Sequence, residues 1–243
     1  MFAAATVAHA QSAAEHVAAG NREHEAFHPD AALKEFEAAL AIEPKNVTAL
    51  QQASLSAVDL GEGVTDKKRA AELFRLGEKY AREAVTVAPD DPESHFHLAR
   101  ALGRAALNVG VRDRVKYAVE IREQALAALK VNPEHPGALH VIGMWNAEVM
   151  RLNGFERFFA KNVLGGKVFG LANWNDAVSN LEHAVRVDPK RPTHRLDLGM
   201  IYRDVGEKAK AREALEAVIA MPQVDVNDGI YKQQAKDALA KLK

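Results

Sequence analysis

Hydrophobic residues recur along the chain at helical spacing, and four stretches repeat one order of small, apolar and polar positions. The stretches read ALAIEPKN, AVTVAPDDP, ALKVNPEHP and AVRVDPKRP, with equivalent prolines at Pro44, Pro89, Pro133 and Pro189. Each proline is predicted to close a helix, because proline cannot continue one and biases the preceding residue away from helical geometry. A small residue precedes each proline where two helices must approach closely: Ala39, Ala84, Ala128 and Ala184. The pattern therefore predicts successive helices, without clear strands.

A second pattern follows each proline, and the two together form a repeat. In HRLDLGMIYRDVGEKAKAREALEAVIAMP, the marker positions are Leu198, Gly199, Tyr202, Gly206, Ala211 and Leu215. This order resembles the tetratricopeptide repeat over nearly the whole chain. The resemblance implies an all-α, right-handed superhelical stack of about five helix pairs. The predicted units are 13–46, 47–91, 92–135, 136–191 and 192–223, within one domain of residues 11–243. A last helix, 227–242, is expected to cap the final apolar face.

The fourth unit contains extra chain. A standard repeat has about 34 residues, whereas 56 residues separate Pro133 from Pro189. The surplus is assigned to an insertion at 153–172, which is rich in phenylalanine. Two interpretations stay open for it. The phenylalanines pack onto neighbouring helices beside Trp145 and Trp174, or they form a lid over a bound ligand. The residues assigned to such a lid are Phe155, Phe158, Phe159 and Lys161.

Composition supports a helical protein and excludes some partners. The chain is 48% hydrophobic and 27% charged, and its formal net charge is -1. A nucleic-acid-binding surface needs many basic residues to neutralise phosphates, so no nucleic-acid partner is predicted. Charge is nevertheless uneven: residues 12–63 hold nine acidic and three basic residues, whereas 100–167 hold eleven basic and six acidic ones. The middle of the chain either faces an acidic partner or consists of solvated helix faces.

The first ten residues suggest two locations for the protein. FAAATVAHAQ resembles the end of a secretory signal, with the small-residue pattern Ala8, His9 and Ala10 before Gln11. If residues 1–10 are the remnant of such a signal, the protein is exported or periplasmic; if they begin an Ala-rich helix, it is cytoplasmic. No run approaches the ~20 apolar residues that cross a bilayer, so no transmembrane segment is predicted. Cysteine is absent, which excludes disulfides and thiolate chemistry.

One motif imitates a catalytic site. HEAFH, from His24 to His28, has the ligand spacing of zinc metalloproteases. That chemistry needs both imidazoles on one continuous helix, and Pro29 follows the second histidine directly. No nucleophile stands with a base and an orienting group, the arrangement that covalent catalysis requires. The sequence therefore predicts a protein that is not an enzyme, with no cofactor and no metal.

The concave groove of a tetratricopeptide stack is the predicted binding site. Its walls are the first helices of the pairs, whose inward positions here are Gln51, Leu55, Phe96, Arg100, Arg104, His140, Met144, Glu148, Met200 and Arg203. This basic and apolar mixture suits an amphipathic peptide or a phospholipid, because charge steers association while apolar contact supplies affinity. A scaffold for a protein or peptide partner is the first hypothesis, and a lipid carrier is the second. Alternatively, the groove is empty or holds the C-terminal tail.

A narrower resemblance covers about Pro89 to Lys243. GMWNAEV carries Gly143, Trp145, Glu148 and Val149, and WNDAVSNLEHAVRVDP and MPQVDVNDGIYKQQAKDALAKL follow it. These segments resemble the regulator of microtubule dynamics family. The resemblance implies a non-enzymatic helical adaptor; eukaryotic members associate with microtubules or the spindle, and one branch holds phospholipid at membrane contact sites. A bacterial homologue is expected if the export signal is real, and microtubule association if the chain is eukaryotic. The oligomeric state stays open.

Overall fold

The computed structural model describes residues 11–162 and 167–242, and the described part contains twelve α-helices and no strand. The all-α prediction is confirmed. The helices are α1 (Ala13–Glu25), α2 (Pro29–Ile42), α3 (Val47–Gly63), α4 (Lys67–Val87), α5 (Pro92–Ala105), α6 (Val111–Val131), α7 (Pro136–Arg151), α8 (Gly154–Asn162), α9 (Trp174–Val187), α10 (Pro192–Asp204), α11 (Lys208–Ala220) and α12 (Asp228–Lys241). Two short 3-10 segments cover Ala106–Asn108 and Lys167–Leu171.

The repeat prolines end helices as predicted. α2, α4, α6 and α9 each stop two residues before one of them, at Ile42, Val87, Val131 and Val187. The next helices begin with local caps. Asn46 and Asp91, for example, accept hydrogen bonds from the backbone N–H groups of Ala49 and Ser94, and a proline occupies the first turn of α5, α7 and α10. Side-chain caps satisfy N–H groups that have no partner inside the helix.

Neighbouring helices stack in chain order. α1 packs on α2, α3 on α4, α5 on α6 and α10 on α11, and each pair also contacts the next. In the fourth pair, α7 contacts α9 across the insertion. Close packing depends on small residues: Ala39, Ala84, Ala128 and Ala184 are fully buried. At Gly143, a Cβ atom would lie 1.7 Å from Cδ2 of Leu181 and 3.1 Å from the carbonyl oxygen of Ala177, so a larger residue would force the Leu181 side chain to shift.

The largest apolar cluster joins the last units to α12. Leu181, Ile201, Leu215 and Val218 form its centre, and Tyr231, Ala235, Ala238 and Leu242 cover it from the C-terminal helix. α12 therefore shields apolar surface that the final pair would expose to water. The unit boundaries drawn from the sequence stay predictions.

Within the described residues, no helix has the length and apolarity required to cross a membrane. The export signal predicted at residues 1–10 lies outside the described residues.

Candidate binding groove on the concave face

Predicted groove residues join neighbouring first helices to one another. Gln51 on α3 donates from Nε2 to Oδ2 of Asp91 at 2.6 Å and to Oγ of Ser94 at 2.9 Å, both at the start of α5. Phe96 on α5 lies 4.9 Å, between ring centroids, from His135 at the start of α7. Its ring also fills the space where Gly137 lacks a side chain. These two groove residues thus hold α3, α5 and α7 in fixed positions.

Two arginines of α5 meet carboxylates of α3. Nη2 of Arg100 lies 2.6 Å from Oδ1 of Asp59 and 3.4 Å from Oε1 of Glu62. Nε of Arg104 lies 2.9 Å from the same Glu62 oxygen. The Arg100 side chain is only 16% exposed. Its positive charge is therefore matched inside the protein, whereas Arg104 keeps contact with solvent.

Burial and ion pairing shift the pKa values of this cluster in opposite directions. Burial raises the pKa of Asp59, and Arg100 offsets part of that rise. Burial would also raise the pKa of Glu62, but Arg104 and Arg100 outweigh it and leave that pKa below its ordinary value. Burial opposes the charge of Arg100, yet Asp59 and Glu62 keep its pKa above the ordinary value. The arginines thus keep Glu62 charged at neutral pH.

The C-terminal segment reaches the same cluster from the far end of the chain. Tyr231 on α12 donates its hydroxyl to Oε2 of Glu62 at 2.7 Å, across 169 positions of sequence. Asn227 donates from Nδ2 to the carbonyl oxygen of Asp59 at 3.1 Å. The superhelix is therefore closed between α3 and α12. Beside Asp59 and Glu62, the predicted groove is therefore occupied by the chain's own C-terminal segment. This is one of the alternatives that the sequence left open.

A histidine pair joins α7 to α10. Nδ1 of His140 lies 2.9 Å from Nδ1 of His194, and Nε2 of His140 lies 3.1 Å from Oδ2 of Asp197. One of the two facing nitrogens must donate and the other must accept. Burial, followed by the charges of His140 and Arg191, lowers the pKa of His194 to about 2. His194 is therefore neutral and can act as the acceptor.

The remaining predicted groove residues, which we call the open section, lie on α5, α7 and α10 and keep contact with solvent. Arg104, Glu148 and Arg203 are exposed or partly exposed there, and Met144 and Met200 lie half-buried on α7 and α10. Arg203 points Nη1 toward the Met200 sulfur at 3.5 Å. Glu148 pairs with Arg151, which reaches Asp204 of α10 at 2.6 Å. The section thus combines two thioethers with charges of both signs. Partner contact at these residues stays a prediction.

The insertion packs partly onto the repeat. Phe169 is buried in an edge-to-face contact with Trp145, whose Nε1 donates to the Ala118 carbonyl at 2.7 Å. Ala160 is buried in the same cluster. Phe158, in contrast, is 62% exposed. The side chains of Phe155, Phe159 and Lys161 lie outside the described part of the structure. The packing interpretation thus fits Phe169, and a ligand-facing lid stays a prediction.

The HEAFH motif is divided between two helices. α1 ends at Glu25, Phe27 adopts a left-handed φ of 62°, and His28 stands at the N-cap of α2. The two histidines therefore do not share the continuous helix that a zinc protease motif needs. Among the described residues, no group of three or more His, Asp or Glu side chains is arranged to hold a metal ion.

Known proteins resemble the chain in fold and in sequence. A thermophilic TPR protein from Thermus thermophilus superimposes with a TM-score of 0.63 at 18% identity, covering 92% of this chain and 98% of that one. The tetratricopeptide-like superhelical fold is thus confirmed. The family model described as regulator of microtubule dynamics protein 1-3 matches residues 11–243.

Curated relatives are longer than the segment that they share with this chain. Regulator of microtubule dynamics protein 3 of Bos taurus is 23% identical over 180 residues, which is 74% of this chain and 37% of that protein. The Mus musculus protein of the same name is 23% identical over 176 residues, 72% of this chain and 37% of the relative. The chain thus spans little more than a third of these relatives.

Proposed function

Because the chain belongs to the regulator of microtubule dynamics family and has a repeat fold typical of protein-binding scaffolds, we propose that it is a non-enzymatic scaffold. It binds a protein or peptide partner on the concave face, at the open section formed by Arg104, Met144, Glu148, Met200 and Arg203. Microtubule association and phospholipid binding, which the family resemblance implies, stay predictions for this chain.

The observation that carries this proposal is the set of contacts that join the helices bearing the open section to one another. Gln51, Phe96 and His140 fix the first helices to their neighbours, so a partner meets side chains whose backbone is already ordered. Preorganisation of this kind lowers the entropic cost of binding. The thioethers of Met144 and Met200 adapt to irregular apolar surfaces, while Glu148 and Arg203 select a partner by charge.

The partner is expected to be an extended or helical segment with an apolar stripe and both charge signs. The partner contacts units three to five and does not run the full length of the groove. Asn227 and Tyr231 already fill the groove beside Asp59 and Glu62 of α3. A short recognition segment therefore fits better than a long one.

A charge exchange tests the proposal. Glu148→Arg combined with Arg203→Glu keeps the net charge of the chain but reverses both selecting charges. A photo-crosslinking amino acid at position 144 of the otherwise unchanged protein should capture a defined partner in the source cells. With the double substitution, capture of that partner should fall about tenfold or more, since like charges across an interface oppose association.

The matched control exchanges an exposed charge pair on α1, Arg22→Glu with Glu25→Arg. It should capture the partner as the unmodified protein does, and circular dichroism melts should show that both variants are folded. If the Glu148 and Arg203 variant captures the partner as well as the unmodified protein does, the proposal for this section of the groove is wrong.

A further inference from the structure

The most exposed apolar side chains lie in the connections between paired helices of two neighbouring units. Among the described residues, the four most exposed large hydrophobic side chains are Val111 at 67%, Leu107 at 64%, Phe158 at 62% and Leu171 at 58%. All four come from units three and four. We name these residues the apolar edge.

The fold explains why they share an edge. Leu107 lies in the 3-10 segment after α5, and Val111 opens α6. Phe158 lies on α8 and Leu171 ends the second 3-10 segment. All four residues thus lie in the connections between the first and second helices of two adjacent units. In a repeat stack such connections fall on the same side.

A shared apolar cluster beneath the surface holds the two connections together. Val115, one turn beyond Val111, belongs to the same buried cluster as Ala160 and Phe169. Ala160 lies two residues after Phe158, and Phe169 two residues before Leu171. Trp145 supports this cluster through its bond to α6. The exposed side chains are thus displayed on a packed base.

The charge around the apolar edge is positive. Among the described side chains of these connections, five are basic and two are acidic: Arg112, Arg114, Lys116, Arg157 and Lys167 against Asp113 and Glu156. Both acids have local partners: Asp113 pairs with Lys116 at 2.8 Å, and Glu156 accepts from the Asn153 backbone at 3.1 Å. Arg112 and Lys167 are exposed. An approaching surface therefore meets apolar tips surrounded by an excess of positive charge.

From this arrangement we propose that the apolar edge docks on an anionic phospholipid bilayer. Exposed apolar patches mark sites of protein or membrane contact. Protein hot spots pack tightly into complementary pockets of the partner, whereas these side chains project from separate helix connections. A fluid bilayer requires no shape complementarity: the apolar tips enter the boundary of the acyl chains, and the basic residues attract anionic headgroups. This surface is separate from the concave groove, so the proposal is independent of the partner discussed above.

Vesicle co-sedimentation tests the docking. Vesicles of phosphatidylcholine alone are compared with vesicles that also contain phosphatidylserine, at low and high salt. The unmodified protein should sediment with the anionic vesicles, and high salt should weaken the association. Leu107→Ser combined with Phe158→Ser removes two apolar tips, and Arg112→Glu combined with Lys167→Glu reverses two charges. Each double variant should weaken vesicle binding about tenfold or more.

Matched aliphatic residues at the other ends of the helices provide the control. Ile42 and Val131, 50% and 54% exposed, end α2 and α6 away from these connections. Ile42→Ser with Val131→Ser should leave vesicle binding unchanged, and circular dichroism melts should show that every variant is folded. Failure of the unmodified protein to bind anionic vesicles would overturn the proposal, as would equal losses in both serine pairs. A protein captured at this edge without vesicle binding would assign the edge to a protein partner instead.

Discussion

Single side chains on the concave face carry structural bonds where the repeat pattern suggested ligand contacts. Arg100 is the clearest case, because its guanidinium joins α5 to Asp59 and Glu62 of α3. Removing one member of a buried ion pair leaves the other charge uncompensated, at a typical cost of about 3–5 kcal/mol. Substitutions at Arg100 therefore cannot distinguish a binding role from a folding role. Substitutions at Glu148, whose side chain is 64% exposed, can make that distinction.

His97 should make stability depend on pH. Burial, followed by the charge of Arg100, lowers its pKa from 6.5 to about 4, although Glu93 and Asp91 oppose the shift and His135 adds to it. The folded chain thus keeps the imidazole neutral where the unfolded chain binds a proton. Its contribution to stability is full above about pH 6.5 and is lost as the pH falls toward 4.

Urea unfolding at about pH 7 and about pH 5 should detect this loss as on the order of 1–2 kcal/mol. His97→Gln removes the titrating group. The unfolding free energy of this variant should therefore fall less between the two pH values, by that amount. His28→Gln, at an exposed histidine, is the control substitution. If the His97 variant shows the same pH dependence as the unmodified protein, the neutral buried imidazole is not its source.

At the scale of elements, the insertion illustrates what the repeat spacing could and could not predict. The distance between Pro133 and Pro189 places the extra chain within the fourth unit, and the structure puts α8 and a 3-10 segment there, between α7 and α9. Which phenylalanine packs inward could not be predicted. Phe158 and Phe169 are alike in type, but the second is buried in a cluster with Trp145, Val149 and Ala160.

Two alanine substitutions should separate these phenylalanines. Phe169→Ala removes a buried ring and leaves a cavity beside Trp145, so it should cost about 3–5 kcal/mol of unfolding free energy. Phe158→Ala removes an exposed ring and should change stability by no more than about 0.5 kcal/mol. Thermal and urea melts of both variants measure the difference. Similar losses in both variants would contradict the assignment of Phe158 to the surface.

At the scale of the whole molecule, the fold class and the family were predictable and the closure was not. The prolines and small residues recur at fixed offsets, which is a local signal, and both the tetratricopeptide fold and the family resemblance are confirmed. The bond between Tyr231 and Glu62 has no local signal. It depends on how small rotations between successive units add up to the curvature of the superhelix. Likewise, the partners of Arg100 lie 38 and 41 positions away.

Tyr231→Phe should weaken the closure and keep the ring in the core. The variant loses the hydroxyl bond to Glu62, so amide exchange at the end of α3, around Asp59 to Gly63, should rise about tenfold, since a bond to a charged group contributes about 1.5–3 kcal/mol. Hydrogen exchange with mass spectrometry measures this change. Tyr202→Phe is the matched control, because its hydroxyl donates to Glu182 in the adjacent helix α9 at 2.6 Å. Unchanged exchange at α3 in the Tyr231 variant would show that the closure does not order this helix.

The bond of Tyr231 to Glu62 also bears on how the chain unfolds. In an open repeat array each unit senses only its neighbours, so an end can melt while distant units stay folded. Here the last helix is tied to the second unit across 169 positions. Fraying at the C-terminus therefore reaches α3 directly, and folding must close a long loop before this contact forms. We therefore expect a more cooperative unfolding transition. We also expect slower folding, because the long loop must close first.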